Sequence, residues 1–358
     1  MTRYIILLTG EHPTIPIAEI RAILQGHRIG LFEIYDQVVR LDTSQDLCKE
    51  IAERCAYVRA CYREVFMCKA ELDTILKYLR RVDFTPFIHN RSFAVRVLRI
   101  REYSKDLSTV QLEKKIGAFL KERFKAKVDL KSPNVLLQGI LTSDIFLLGI
   151  LMITSRRRDI IRRGSKYKPF THPSALDPRI ARAMVNMARI YERGVLLDPF
   201  SGTGTVVVES AVIGIESIGI DIDRRMIYGS LKNVVEFKAY DKCSLILADA
   251  TKLPLRENSI NAIVTDPPYG RSASTYGYEP SKLIENLLYS SVRVLKKGGI
   301  IVLMHPKEYF RQVRRTPLRV LEKHVIEVHS GLTRVISILK YQELSKEGNQ
   351  TVSETSLF

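Results

Sequence analysis

Four apolar runs in the second half of this chain each stop on an aspartate. Gly194 to Leu197 ends at Asp198, Ser217 to Ile220 at Asp221, Cys243 to Ala248 at Asp249, and Ser259 to Thr265 at Asp266. Runs of this length, rich in Val, Ile and Leu, predict buried strands. The steps between them are short, as expected of a doubly wound parallel sheet with helical crossovers. Open α/β sheets hold their ligands at the carboxyl ends of the strands, which is where all four acids fall. The fold class is therefore α/β.

The first acid opens a glycine-rich turn, Asp198-Pro199-Phe200-Ser201-Gly202-Thr203-Gly204-Thr205, and a helix is predicted from Val206 to Ile213. Glycines let the backbone approach a ligand, and the helix amino terminus offers unpaired N–H groups. A dinucleotide fingerprint needs a glycine where Val207 stands, and a phosphate-binding loop needs Gly-Lys-Ser/Thr, which is missing. Asp198 would repel a pyrophosphate. It suits the cationic sulfonium and ammonium end of S-adenosylmethionine.

Asp221 stands where a carboxylate can accept both ribose hydroxyls of an adenosine, and Asp223 caps the next helix or shares that role. Asp249 accepts from an adenine amine or is a plain turn acid. The fourth acid leads Asp266-Pro267-Pro268-Tyr269-Gly270. An exocyclic amine of a nucleobase is a poor nucleophile, because its lone pair is delocalised into the ring. A carboxylate (Asp266) and a carbonyl (Pro267) that accept its two hydrogens aim that lone pair at a methyl donor. Tyr269 can stack on a base taken out of its helix. The same pentapeptide could also be an ordinary strand-to-loop turn.

Together these segments resemble the successive motifs of class I, Rossmann-like S-adenosylmethionine methyltransferases acting on amino groups. Lys168-Pro169-Phe170-Thr171-His172-Pro173-Ser174-Ala175-Leu176-Asp177-Pro178, the continuation Gly270-Arg271-Ser272, and His329-Ser330-Gly331-Leu332-Thr333-Arg334 narrow the likeness to the archaeal tRNA guanine-10 N2-methyltransferases. The resemblance implies S-adenosyl-L-methionine as cofactor and mono- and dimethylation of a guanosine 2-amino group. It implies catalytic roles for Asp266, Pro267 and Tyr269. It places Phe170, His172, Asp198, Phe200, Gly202, Gly204, Thr205, Asp221, Ile222, Asp249, Ala250 and Asp266 around the cofactor. His172 is open to a structural hydrogen bond as well as to positioning substrate.

The same resemblance divides the chain into a ferredoxin-like unit over 1–49, a THUMP domain gripping tRNA over 50–154, a basic linker over 155–168, the methyltransferase domain over 169–344 and a flexible tail over 345–358. Charge agrees with a polyanionic partner: of the net +17, residues 1–168 carry 31 Lys/Arg against 19 Asp/Glu. Their periodicity alternates short strands and helices, including an amphipathic helix over 110–124 and a hairpin around Thr142-Ser143-Asp144. Arg96, Arg99, Arg101, Lys105, Lys114, Lys115, Arg156, Arg157, Arg158 and Arg271 are candidate RNA contacts. Phosphate contacts give affinity and register rather than base identity. The 155–168 segment reads equally as a solvated linker or as a tether along RNA.

Cys48, Cys55, Cys61 and Cys68 are six or seven residues apart without a Cys-x-x-Cys, and Cys243 is remote, so no metal site is expected. Reduced thiols, no membrane span, no export signal, a cytoplasmic location and a monomer complete the expectation. Two rival readings stand beside it. One is the same chemistry on another guanosine of tRNA, on ribosomal RNA, or on adenine in DNA. The other is a non-catalytic RNA binder with a methyltransferase-like fold.

Overall fold

The computed structural model describes residues 2–190, 194–269, 277–314, 316–329 and 332–341. Two compact units result. The first holds residues up to 168 together with 177–189; the second holds 169–176 and the described residues from 190 onward.

The first unit is built on one eight-stranded sheet. Its strands are β1 (Thr2–Leu8), β2 (Ile29–Tyr35), β3 (Val38–Thr43), β4 (Val58–Lys69), β5 (Ser92–Arg99), β6 (Lys127–Val128), β7 (Val135–Thr142) and β8 (Ile145–Thr154). The order β2-β3-β1-β4-β8-β7-β5-β6 runs through the predicted boundary at 49/50 without a break. The reason is β4: at twelve residues it is long enough to pair with β1 on one side and β8 on the other. The β7–β8 hairpin turns at Ser143 and Asp144, both at positive φ. Helices α1 (Ile15–Ile23), α2 (Cys48–Arg54), α3 (Leu72–Arg81), α4 (Thr85–Ile88) and α5 (Thr109–Phe124) cover the sheet's apolar faces.

Two segments depart from the expected division. Residues 155–168 are not a separate linker: they carry a short helix, α6 (Arg157–Ile161), within the first unit. Helix α7 (Pro178–Met187) also belongs to that unit, packing against α1 with almost every residue buried. Its anchor is polar. Asn186 donates to Glu19 at 2.8 Å and to the Arg54 carbonyl at 3.0 Å.

The second unit is a seven-stranded sheet made of β9 (Val195–Asp198), β10 (Glu216–Asp221), β11 (Cys243–Leu247), β12 (Ile260–Thr265), β13 (Leu295–Pro306), β14 (Leu318–His329) and β15 (Leu332–Tyr341). The order is β11-β10-β9-β12-β13-β15-β14. The first five are parallel, while β15 lies antiparallel between β13 and β14. Helices α8 (Thr205–Ala211), α9 (Arg224–Glu236), α10 (Pro280–Val294) and α11 (Phe310–Arg314) accompany it. The central strands are buried on both faces, which explains their unbroken apolar runs. Strand order reverses between β9 and β12, and at such a switch point the neighbouring connections leave on opposite faces and open a crevice.

Cys48, Cys55, Cys61 and Cys68 are buried free thiols and Cys243 is half-buried. Among the described residues no helix is long and apolar enough to cross a membrane, and no cluster of His, Cys, Asp and Glu could hold a metal ion.

Candidate active site

The switch-point crevice is a pocket in the second unit, and the four strand-ending acids all line it. So do His172, Phe200, Gly202, Thr205, Ile222, Ala250, Pro267 and Tyr269. Phe170 and Gly204, expected beside a ligand, instead support the walls. Gly204 sits at φ +76°, and a side chain there would strike the Ser230 hydroxyl at 2.1 Å. Glycine is needed for both the left-handed backbone and the close approach.

Asp198 is buried, with its Oδ1 accepting from the Thr265 hydroxyl at 2.8 Å and the Phe200 N–H at 3.2 Å. Burial pushes its carboxyl up to about 7, and Asp221 and Asp266 push the same way. Neither hydrogen-bond partner is a cation. A buried acid at the wall of a pocket is the group a sulfonium or ammonium ligand would complement.

Asp221 fixes the glycine turn, accepting from the Gly202 N–H and the Asp223 N–H, each at 2.9 Å. Burial raises its carboxyl above the ordinary range. Asp223 is the helix cap, accepting from the Arg225 N–H at 2.8 Å. Asp249 accepts from the Thr251 N–H and hydroxyl at 2.8 Å through Oδ1, and from the Tyr278 hydroxyl at 3.1 Å through Oδ2. Burial pushes Asp249 up, but those hydrogen bonds outweigh it and hold the carboxyl below its usual value.

Asp266 receives the Tyr269 hydroxyl on Oδ1 and faces the Arg334 guanidinium, 3.5 Å from Oδ2. Burial raises its carboxyl to about 6 against the lowering effect of Arg334 and Tyr269. Burial, and next the Asp266 charge, push the Tyr269 hydroxyl far up, so it stays a donor. His172 Nδ1 accepts from the Ser174 N–H at 3.3 Å and lies 2.7 Å from the Ser174 hydroxyl, a local turn contact.

Sequence reasoning missed Asn233, Gly229 and Tyr278 at this pocket, and it named Arg334 only as part of the His329–Arg334 segment, with no role. Gly229 alone carried a signal. A glycine inside an amphipathic helix weakens it and calls for a packing reason. That reason is the Phe170 ring, 2.1 Å from where a Cβ would stand.

Residues 165–336 match the family model for the RMKL-like methyltransferase domain, and 69–151 match the THUMP domain. The tRNA (guanine(10)-N2)-dimethyltransferase of Methanothermobacter thermautotrophicus is 32% identical over 94% of this chain and 98% of its own length. The chain belongs to that family. Its Methanocaldococcus jannaschii namesake is 30% identical over 93% of this chain and 98% of its own length. TrmN from Thermus thermophilus shares the fold, with a TM-score of 0.58 at 18% identity over 95% of this chain and 99% of that one.

In this dimethyltransferase-family chain the basic candidates of the first unit fall into two groups. Arg96 donates to the Val95 and Leu130 carbonyls at 3.2 and 3.0 Å, and Arg99 to the Leu107 carbonyl. Arg101 pairs with Asp36 at 2.7 Å, Lys105 with Glu102, Arg156 with Glu53 at 3.5 Å and Arg157 with Glu11. Lys114, Lys115 and Arg158 are exposed, as are Arg101, Lys105 and Arg156 despite their ion pairs. Arg271, Ser330, Gly331 and the tail from 345 lie outside the described residues.

Proposed function

We propose that this chain is a tRNA methyltransferase that modifies the 2-amino group of guanosine-10, once and then a second time, with S-adenosyl-L-methionine as methyl donor. The observation that carries the reading is the placement of Asp266, Pro267 and Tyr269 on the same pocket as Asp198, Asp221 and Asp249. An amine-activating carboxylate and a pocket suited to a cationic adenosine derivative share one crevice. The full-length similarity to the guanine-10 enzymes supplies the substrate.

When bound, S-adenosylmethionine supplies an electrophilic methyl group. Asp198 faces its cationic end, Asp221 its ribose and Asp249 its adenine amine. Asp266 and the Pro267 carbonyl accept the two N–H hydrogens of the guanine amine and orient its lone pair. Tyr269, its hydroxyl tied to Asp266, presents a fixed ring for the base to lie on. Asp266 then receives the proton that the substituted amine sheds and passes it to water. A monomethylated amine keeps one N–H, which one of these acceptors can take in a second round. The exposed Lys114, Lys115 and Arg158 hold the tRNA phosphates, and the chain acts as a cytoplasmic monomer without metal.

The test incubates the chain with labelled S-adenosylmethionine and an unmodified tRNA transcript, then maps the product by nuclease digestion and mass spectrometry. Methyl on N2 of guanosine-10, lost in Asp266→Ala, is the expected result. Methyl on another guanosine would keep the chemistry and overturn the target. No transfer to tRNA, ribosomal RNA or DNA would leave a non-catalytic RNA binder.

A further inference from the structure

Arg334 stands at a place the chemistry of the pocket does not require for holding a cofactor. It lies on β15, opposite Pro306 of β13, and its side chain is about three-quarters buried at the pocket wall. Its guanidinium carbon lies 5.3 Å from the Tyr269 ring centroid, and Nη1 is 3.5 Å from Asp266 Oδ2 and 3.6 Å from the Met304 sulfur. An arginine buried for stability makes short, paired bonds to a carboxylate. Here the contact is long and made through one nitrogen, and Nε is buried without a hydrogen-bond partner.

That looseness has a chemical consequence. At 3.5 Å the attraction is mainly charge on charge, so it favours the ionised carboxylate without spending the Oδ2 lone pairs. Oδ1 is already committed to the Tyr269 hydroxyl. Oδ2 is therefore the oxygen free to accept from an amine. The guanidinium meanwhile sits over the Tyr269 ring, a cation–π contact that holds the ring's plane.

We infer that Arg334 is a positioning residue for the transfer: it keeps Asp266 ionised with Oδ2 available, and it fixes the plane of Tyr269. The inference rests on the methyltransferase reading of the pocket. Among the described residues, the charged and titratable groups that bear on Asp266 are Tyr269 from its own loop and Arg334 from β15, while Asp266 itself raises the carboxyl of Asp198 at the end of β9. Arg334 is the cation, among the described residues, that holds the Asp266 carboxylate charged against burial.

The experiment compares wild type, Arg334→Gln and Arg334→Lys in single-turnover methylation of tRNA from pH 5 to 9. Arg334→Gln is expected to move the acid limb upward, with a loss that is greatest near pH 6 and shrinks toward pH 9. Each unit of upward shift removes about tenfold of the ionised form below the limb. Arg334→Lys, which keeps the charge, is expected to leave the limb close to wild type. A loss of equal size at every pH, with the limb unmoved, would overturn the inference in favour of a substrate contact or a structural role. A second readout needs no activity. The carboxyl carbon of Asp266, followed by NMR in aspartate-labelled chain and assigned with Asp266→Asn, should titrate at higher pH in Arg334→Gln. An unchanged midpoint overturns the role of Arg334 even if tRNA is not the substrate, whereas an inactive wild type with a shifted midpoint overturns the substrate alone.

Discussion

Asn233 grips Phe170 with both ends of its amide, accepting from the Phe170 N–H at 3.0 Å and donating to the Phe170 carbonyl at 2.8 Å. The same Nδ2 donates to the Thr203 carbonyl in the glycine turn at 2.8 Å. One fully buried side chain thus ties the segment carrying His172 to the turn carrying Gly202 and Gly204. Asn233→Ala strands buried backbone groups, each costing about 1–3 kcal/mol when unsatisfied. It should lower the melting temperature of the chain and weaken S-adenosylmethionine binding, both measurable by calorimetry. Gly229→Ala should keep the hydrogen bonds but displace the Phe170 ring, weakening cofactor binding with a smaller effect on melting.

Through its proposed contact with the cationic end of the cofactor, Asp198 would make affinity a function of pH. Its folded carboxyl titrates at about 7, raised by burial and by Asp221 and Asp266. Only the ionised form attracts a cationic ligand, so affinity should rise as pH rises toward and through 7. The steepest part should approach about tenfold per unit below the transition. Isothermal titration of S-adenosylmethionine at pH 6, 7 and 8 reads this directly. Asp198→Asn should bind more weakly at pH 8 and show a flat profile. A variant that retains the wild-type slope would place the titrating group elsewhere.

Tyr278 donates to the Asp249 oxygen that the proposed adenine contact would use. Asp249 Oδ1 is held by Thr251, and Oδ2 accepts the Tyr278 hydroxyl at 3.1 Å. Tyr278→Phe removes the competing donor and keeps the ring at the pocket wall. It should tighten cofactor binding several-fold, on the order of the 0.5–1.5 kcal/mol net worth of one hydrogen bond. Weaker binding in Tyr278→Phe would show that the hydroxyl serves the ligand rather than competing with it.

The acids of the site were legible because a strand buried on both faces reads as an apolar run, and its carboxyl end is where the polar residue follows. Asp198, Asp221, Asp249 and Asp266 needed nothing beyond that. Asn233, Tyr278 and Arg334 were not legible as partners, since each acts on a residue 63, 29 or 68 positions away. Arg334 reaches Asp266 only because β15 inserts antiparallel beside β13, a register that no local pattern announces. The continuous sheet of the first unit escaped for a related reason. The pairing of β4 with both β1 and β8 leaves no mark in its own sequence.

Glu19 gives the first unit a pH-dependent stability of definite sign. It is fully buried, with Oε1 accepting from the Ala56 N–H and Asn186 Nδ2 at 2.8 Å each and Oε2 from the Tyr57 N–H at 3.1 Å. Burial raises its carboxyl to about 7, against the lowering effect of those donors and of Arg182. The unfolded chain releases this proton near the ordinary glutamate value, while the folded chain keeps it until about 7. Between those limits the folded state binds more protons, so stability contributed by Glu19 is greatest below the ordinary value and falls as pH rises to 7, then levels. The slope is at most about 1.4 kcal/mol per pH unit. Glu19→Gln removes this titration. It also turns an amide donor toward the N–H of Ala56 or Tyr57, so below the ordinary glutamate value the variant should be less stable by about 1–3 kcal/mol. Denaturant unfolding from pH 4.5 to 8 should show the gap between the two chains widest at the acid end. A gap that widens toward pH 8 would mean that the folded carboxylate is ionised well below 7, with Arg182 and the three donors outweighing burial.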